Sequence, residues 1–182
     1  MKTPKYKHTR ESYITISELM LPSHSNFSGK IHGGYILSLM DQIAFACAAK
    51  YSGYYAVTAS VDKVDFLQPI EVGELVSMKA AVNFVGRSSM VVGVRVESEN
   101  VTTGSKKHCN SSYFTMVARD DNGKSVAVPG LILDNNSAIR RFVRSALRQK
   151  QGKERRAAFK PSSFNAEDYM DMLKDYNVKI ED

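Results

Sequence analysis

One predicted helix constrains this chain more than any other segment, because it is apolar almost all the way round. Over residues 35–51 apolar side chains recur at the three- and four-residue spacing of a helix, and Gly53 follows as a stop signal. The positions that carry this period are Ile36, Leu37, Met40, Ile43, Ala44, Cys47 and Ala48. Such a helix is expected to be buried nearly all round in the core of its domain.

Segments with strand character lie on both sides of this helix. One precedes it at residues 11–19, where apolar residues alternate loosely. Four longer segments follow it, at residues 56–67, 74–85, 88–100 and 105–120. Their tight, turn-rich connections favour antiparallel pairing. The order predicts an α+β fold in which a single antiparallel sheet curls around one long helix.

The length of the chain predicts one globular domain and a partner of the same kind. A chain of 182 residues can bury one sizeable core. A sheet that covers one helix leaves the other face of that helix bare, and the chain offers no second long apolar helix to cover it. We therefore expect a homodimer.

Beyond Pro129 the composition changes. Apolar residues at helical spacing alternate there with arginines, which predicts a basic amphipathic helix followed by a last short helix or a mobile tail near Tyr169. The arginines are Arg140, Arg141, Arg144 and Arg148. We expect a main domain at residues 1–133 and a basic helical extension at 134–182. The net charge of +6 lies mostly in residues 140–160 and fits nucleic acid, phospholipid or a phosphorylated small ligand equally well.

The cysteines and the N-terminus bear on the compartment. Cys47 and Cys109 lie in apolar or strand-like patterns without the spacing of metal ligands, so we expect two reduced thiols and no metal. Residues 1–12 are charged and lack the apolar core of a signal peptide, and no run is long enough to cross a membrane. These features predict a cytoplasmic protein with no membrane partner.

Asp41 is the one charged residue of the apolar helix before its last turn. Burying an unpaired carboxylate costs several kcal/mol, so Asp41 must be solvated, paired or functional. It shares one edge of the helix with Gly34 and Phe45, and glycines at a helix start let a ligand approach backbone N–H groups that favour negative oxygen. The pattern fits a base near an oxyanion site. It fits equally well a partly exposed structural aspartate after an ordinary N-terminal turn.

The stretch at residues 26–41 resembles the hallmark of the hotdog acyl-CoA thioesterases, both the bacterial YciA-type enzymes and the related cytosolic acyl-CoA hydrolases of animals. An asparagine in a loop, a Gly-Gly helix start, an apolar turn and an aspartate follow one another at the family's spacing. Further blocks follow in the family's order, at residues 57–62, 65–70, 72–74, 86–89 and 113–118. The resemblance covers residues 13–133 and departs from the family at His32, where an apolar residue is common.

The resemblance implies hydrolysis of an acyl-CoA without any cofactor, since CoA is part of the substrate. Asp41 would be the general base or the nucleophile, Asn26 of the partner subunit would position the water or the carbonyl, and the N–H of Gly34 would bind the carbonyl oxygen. The implied contacts to substrate and CoA are Gly33, Thr58, Ser60, Gly86, Arg87, Ser88 and Ser89. The implied assembly is a dimer, with three dimers forming a hexamer.

Other interpretations stay open at this point. Asn26 also fits a turn residue that bonds its own backbone, and Thr58 and Ser60 fit ordinary strand positions. The turn around Arg87 also fits a solvated hairpin, and His32 fits either a loop residue or a modulator of acyl specificity. The whole chain could instead be a hotdog hydratase or dehydratase acting on acyl thioesters, or a non-catalytic acyl-CoA-binding regulator. No nucleic-acid partner is expected.

Overall fold

A computed structural model describes residues 5–158 and 161–180 of the chain. In chain order the elements are β1 (Tyr6–His8), β2 (Ile14–Leu19), α1 (Gly33–Ser52), β3 (Tyr55–Val61), β4 (Glu74–Val85), β5 (Ser89–Asn100), β6 (Lys106–Arg119), β7 (Gly130–Ile132), α2 (Asn136–Ala158) and α3 (Met170–Leu173). Short 3-10 turns lie between several of them.

Five strands form one antiparallel sheet in the order β2-β4-β5-β6-β3, and α1 packs against every one of them. The long strands β4, β5 and β6 lie in the middle because the chain joins them through tight turns. The shorter strands β2 and β3 lie at the two edges. The predicted architecture, a single antiparallel sheet curled around one long helix, is confirmed.

The core lies between the concave face of the sheet and α1. Every second residue of β5 points inward, and Val92 and Val96 are fully buried against Met40 and Ile43 of the helix face. Burying an aliphatic side chain of this size stabilises the fold by about 1.5–3 kcal/mol each. The inward-facing side chains of the strands and the apolar face of α1 therefore form one continuous apolar layer.

Both cysteines are free thiols, as predicted, and both are buried. The Cys47 thiol donates to the carbonyl oxygen of Ser12 at 3.2 Å. Burial raises the pKa of the Cys47 thiol to about 12, because the charged thiolate is poorly solvated there. Cys47 is therefore an inert core residue and no candidate nucleophile.

The prediction that α1 is buried nearly all round is wrong for the single chain. The sheet covers one side of the helix only, and Gly34, Ser38, Gln42 and Phe45 remain exposed on the other. Asp41 is half-buried at the border of this open face. This open face is the side of the helix for which the sequence analysis found no covering element within the chain.

Two predicted strands differ from the structure by more than one residue at one end. The first begins at Ile14, since residues 9–12 form a 3-10 turn in which the Ser12 hydroxyl donates to Thr9 and accepts from the backbone of Val82. β3 ends at Val61 and not at residue 67. Residues 62–67 leave the regular ladder, and the Leu67 N–H rejoins β6 at the carbonyl of Cys109.

Two features were not predicted. β1 and β7 form a small parallel pair that joins the N-terminal segment to the region after β6. The basic helix, predicted around residues 139–148, extends in the structure as α2 through the polar run after it, whose Gln, Lys, Glu, Arg and Ala residues are good helix formers.

The chain forms two compact units, one ending at Ser145 and the other beginning at Ala146, so the division lies within α2. In the first unit, Phe142 of α2 packs on Phe84 of β4 with ring centroids 5.1 Å apart. In the second unit, Phe164 stacks on Tyr169. The predicted domain division at residue 133 stays a prediction. Across the described ranges, no helix has both the length and the apolar character needed to cross a bilayer.

Candidate active site

The carboxylate of Asp41 accepts a hydrogen bond from the hydroxyl of Thr58 at 2.6 Å. Asp41 lies in the third turn of α1, and Thr58 lies in the middle of the edge strand β3. The bond fixes one carboxylate oxygen, Oδ1, and with it the direction of the side chain. Asp41 is thus a positioned carboxylate at the border between the core and the open face of α1.

A β-bulge explains why Thr58 contacts Asp41 and Ser60 does not. Thr58 pairs with Met116 of β6, whereas Ser60 pairs with Thr115, so Ala59 is an extra residue in β3. Met116 points into the core. Residues directly opposite in a ladder share a face, so Thr58 faces the helix and Ser60 faces away from it. Without the bulge both side chains would have faced the helix. The contact with substrate that the family resemblance implies for Ser60 stays a prediction.

For the thioester hydrolysis that the family resemblance implies, we expect Thr58→Val to lower kcat by roughly 3- to 10-fold while the fold stays intact, because valine keeps the shape but cannot orient the Asp41 carboxylate. Thr58→Ser keeps the hydroxyl and should stay near wild type. Ser60→Ala is the matched control on the other face of β3. Steady-state hydrolysis kinetics with circular dichroism melting check this, and equal kcat values for the valine and serine variants would remove Thr58 from the site.

Asn26 lies in a loop that its own side chain holds together. Its Oδ1 accepts from the backbone N–H of Ser28 and Lys30, at 2.9 and 3.2 Å, and from the Ser28 hydroxyl at 2.7 Å. The turn role that the sequence left open is therefore real. Because the backbone N–H groups can only donate, they fix which side-chain atom is the oxygen. Nδ2 is therefore the donor of this side chain, and no described residue accepts from it.

The glycine start of α1 offers its two N–H groups unequally. The N–H of Gly34 donates to Nδ1 of His32, the residue that caps the helix, at 3.0 Å. Within residues 5–158 and 161–180, no group accepts from the N–H of Gly33. The ring of Phe66 lies over Gly33 so closely that an added Cβ would be 3.1 Å from it. Gly33 is the open donor of this helix start.

Gly33 and Asp41 are eight residues apart in one helix, which separates them by about 12 Å along its axis. The Asp41 side chain leans toward the helix start but shortens this gap by only a few ångströms. A single thioester carbonyl is too small to bridge the remaining distance, because its oxygen would have to accept from the Gly33 N–H while Asp41 attacked its carbon. The two groups of one chain therefore do not form a compact centre by themselves.

The turn between β4 and β5 is tied down by its backbone. The Gly86 N–H donates to the Ser89 carbonyl, and the carbonyls of Arg87 and Ser88 accept from Val128 and Ala118. The Arg87 side chain is exposed. Met90, just after the turn, pairs with Met116, which pairs with Thr58, so the turn lies at the same level of the sheet as the site, roughly 10 Å away across two strands.

Comparison with known proteins connects this geometry to an activity. The Thioesterase superfamily model matches residues 28–105, which include the glycine start, Asp41 and Thr58. A Bacillus subtilis protein named as an uncharacterised acyl-CoA thioester hydrolase, YkhA, is 37% identical over 139 residues, which cover 76% of this chain and 81% of that protein. The chain belongs to the thioesterase superfamily, among the acyl-CoA thioester hydrolases.

Solved structures of similar proteins agree with the family. An apo-hexameric acyl-CoA thioesterase superposes with a TM-score of 0.81 at 34% identity, covering 86% of this chain and all of that one. An acyl-CoA hydrolase from Staphylococcus aureus, solved with butyryl-CoA, CoA and CoA disulfide, gives a TM-score of 0.78 at 30% identity over 93% of this chain and 99% of that one. The same enzyme was also solved as variants in which an aspartate, a threonine or an asparagine is replaced by alanine.

Within this thioesterase fold, the predicted site residues fall into three groups. Asp41 and Thr58 are in contact, and Asn26 and the glycines lie at the start of α1. The Arg87 turn lies between β4 and β5, at the same level of the sheet as Thr58. Ser60 is not brought to the other site residues. The roles assigned to all of them stay predictions.

A cluster beside the glycine start was not predicted. The Tyr35 hydroxyl donates to the Glu18 carboxylate, and the Tyr35 ring stacks on His24 with centroids 4.0 Å apart. The hydrogen bond to Glu18, and burial to a lesser extent, raise the pKa of Tyr35. The cluster joins β2 and the Asn26 loop to the first turn of α1. Helical spacing gave no signal for it, since Glu18 and His24 are distant from Tyr35 in sequence.

Proposed function

We propose that this chain hydrolyses acyl-CoA thioesters to a free carboxylic acid and CoA. The observation that carries the proposal is the carboxylate of Asp41, positioned by Thr58 on a helix that opens with two glycines. The alanine variants of the Staphylococcus aureus acyl-CoA hydrolase concern the same three residue types that this site combines: an aspartate, a threonine and an asparagine.

The chemistry needs a base or nucleophile, and donors for the oxygen that becomes negative. As a base, Asp41 takes a proton from water while the water oxygen bonds to the carbonyl carbon. As a nucleophile, its oxygen attacks that carbon and water then cleaves the resulting anhydride. In both routes the C–S bond breaks and its electron pair goes to sulfur, which takes up a proton as CoA leaves.

The proposed oxyanion donors are the Gly33 N–H and the Nδ2 amide of Asn26. The sequence favoured Gly34 for this role, and Gly34 would serve only if its bond to His32 opened. Gly33 needs no such change, because no described residue accepts from its N–H. Asn26 supplies its amide N–H because its oxygen is used by the loop.

The active centre is composite, with Asp41 of one protomer facing the glycine start and Asn26 of another. The 12 Å helix spacing estimated above supports this arrangement. So does the open face of α1, where the exposed ring of Phe45 lies 5.4 Å from that of Tyr55 and the exposed ring of Phe66 lies over Gly33. Phe27, next to Asn26 in the sequence, is also completely exposed. Apolar side chains grouped around a site mark an interface, and the unpaired edge of β3 is available to a second copy.

The Arg87 turn is the proposed contact for the phosphates of CoA. Its exposed guanidinium can bind phosphate oxygens, and the hydrogen bonds of its backbone hold the turn in place.

We further propose dimers that assemble into a hexamer, supported by the similarity to a thioesterase named as hexameric. We also propose a cytoplasmic location, supported by the similarity to a human protein named as a cytosolic acyl coenzyme A thioester hydrolase.

Thiol release from a panel of acyl-CoAs of increasing chain length tests the function. Both protein thiols are buried, so a colorimetric thiol reagent reports the CoA product with little background. We expect steady turnover of at least one chain-length class. Hydration of an enoyl-CoA without thiol release would favour the hydratase alternative, and tight binding without turnover would favour the regulator.

A further inference from the structure

We propose that His32 is a further catalytic residue, which donates a hydrogen bond from its Nε2–H to the thioester as negative charge develops on it. This inference rests on the proposed function and deepens it. It begins from the bond in which the Gly34 N–H donates to Nδ1 of His32, because that bond decides which ring nitrogen is the acceptor.

The Gly34 bond decides where the ring carries its proton. A backbone N–H can only donate, so Nδ1 must be the acceptor and carry no proton. A neutral imidazole with a bare Nδ1 holds its proton on Nε2. His32 is therefore a hydrogen-bond donor on its other edge.

The position of the ring places this donor at the start of α1. The ring lies against Gly34, where an added Cβ would be 3.1 Å from both Nδ1 and Cε1. His32 is exposed, so the Nε2 edge is free to meet a ligand. The donors proposed for the carbonyl oxygen belong to the same short region of chain. Gly33 directly follows His32, and Asn26 lies in the loop before it.

The backbone on both sides of the ring is fixed. The His32 N–H donates to the carbonyl of His24 at 2.9 Å, and the His32 carbonyl accepts from Tyr35 at 3.0 Å. A donor held in this way needs no reorganisation when charge appears on the substrate, which is the condition for strong electrostatic stabilisation.

His32 keeps its proton throughout the reaction. Its Nδ1 stays occupied as the acceptor of the Gly34 N–H, so the ring contributes the N–H of Nε2 and no second proton. A neutral imidazole that gave up its Nε2 proton would become an anion, so it cannot serve as the acid for the leaving sulfur. The sulfur takes its proton from the acid that Asp41 becomes or from water, and His32 contributes a hydrogen bond only.

Two variants separate this role from that of a helix cap. His32→Ser keeps a good cap, since serine accepts from the second N–H of a helix, but it is too short to place a donor where Nε2–H lies. His32→Gln is a poor cap but carries an amide donor at nearly the reach of Nε2. We expect the serine variant to lose about 10- to 100-fold in kcat and the glutamine variant to stay within about 5-fold of wild type.

The melting temperatures should follow the opposite order, with serine above glutamine. A purely structural His32 would make kcat follow stability, so glutamine would be the worse enzyme. Wild-type kcat in the serine variant, or a glutamine variant no better than serine, would overturn the proposal. His8→Ser, a histidine paired with Asp134 away from the site, is the control and should keep wild-type kcat.

Nitrogen NMR of the imidazole tests the first step without any turnover. The proposal predicts the Nε2–H tautomer for His32, assigned by the signals that vanish in His32→Gln. Finding the proton on Nδ1 would overturn the inference even in an active enzyme. A wild-type protein with the expected tautomer but no thiol release from any acyl-CoA would instead show that the proposed function has failed.

Discussion

Replacing Asp41 by asparagine is expected to lower kcat for acyl-CoA hydrolysis by about 1,000-fold or more. The amide can neither take a proton from water nor attack a carbonyl carbon. The fold should survive, because Asp41 is half-buried at the edge of α1 and the Thr58 hydroxyl can still donate to the amide oxygen. The loss is therefore chemical and not structural.

Separate measurement of kcat and of CoA affinity checks this prediction. CoA binding by calorimetry should change by less than about 3-fold, since Asp41 acts on the thioester and not on the nucleotide. Asp171→Asn is the matched control, an exposed aspartate of α3 that pairs with Lys174. A variant of Asp41 that retained a tenth of wild-type turnover would contradict the assignment.

Replacing Asn26 by aspartate is expected to lower kcat by about 100-fold with the loop intact. A carboxylate can accept the same bonds from Ser28 and Lys30 that Asn26 accepts now. It cannot donate as the Nδ2 amide does, and it adds negative charge beside an oxygen that is becoming negative. The substitution thus removes the proposed oxyanion donor and keeps the turn.

Asn100 provides the matched control for this substitution. Its Oδ1 also accepts from two backbone N–H groups in a turn, those of Thr102 and Thr103, but it is the last residue of β5. Asn100→Asp should leave kcat unchanged. If Asn26→Asp did the same, Asn26 would be the ordinary turn residue that its loop bonds also allow.

Much of the scaffold could be predicted from the sequence because it follows from periodicity. The helical period of residues 35–51 predicts α1. The turn signals predict β4 at residues 74–85, which are its limits in the structure. The same period places Asp41 on the open edge of the helix with Gly34 and Phe45. These features depend on local pattern and on burial, which the sequence carries directly.

Other features depend on contacts that no local pattern encodes. The bulge at Ala59, which separates Ser60 from Thr58, is set by how β3 pairs with β6. The parallel pair of β1 and β7 joins segments over 120 residues apart. Histidine is not a common helix cap, so nothing in the sequence indicated that His32 would occupy the N–H of Gly34.

Mixing two inactive variants tests most directly the claim that the centre is composite and centred on Asp41. Asp41→Asn and Asn26→Asp proteins are unfolded together in equal amounts and refolded, beside a wild-type sample treated in the same way. If Asp41 of one protomer works with Asn26 of another, random pairing rebuilds an intact site in about a quarter of all positions, and the mixture should recover about a quarter of the wild-type turnover. Recovery no greater than the mean of the two variants, from a wild-type control that refolds to full activity, would contradict the account.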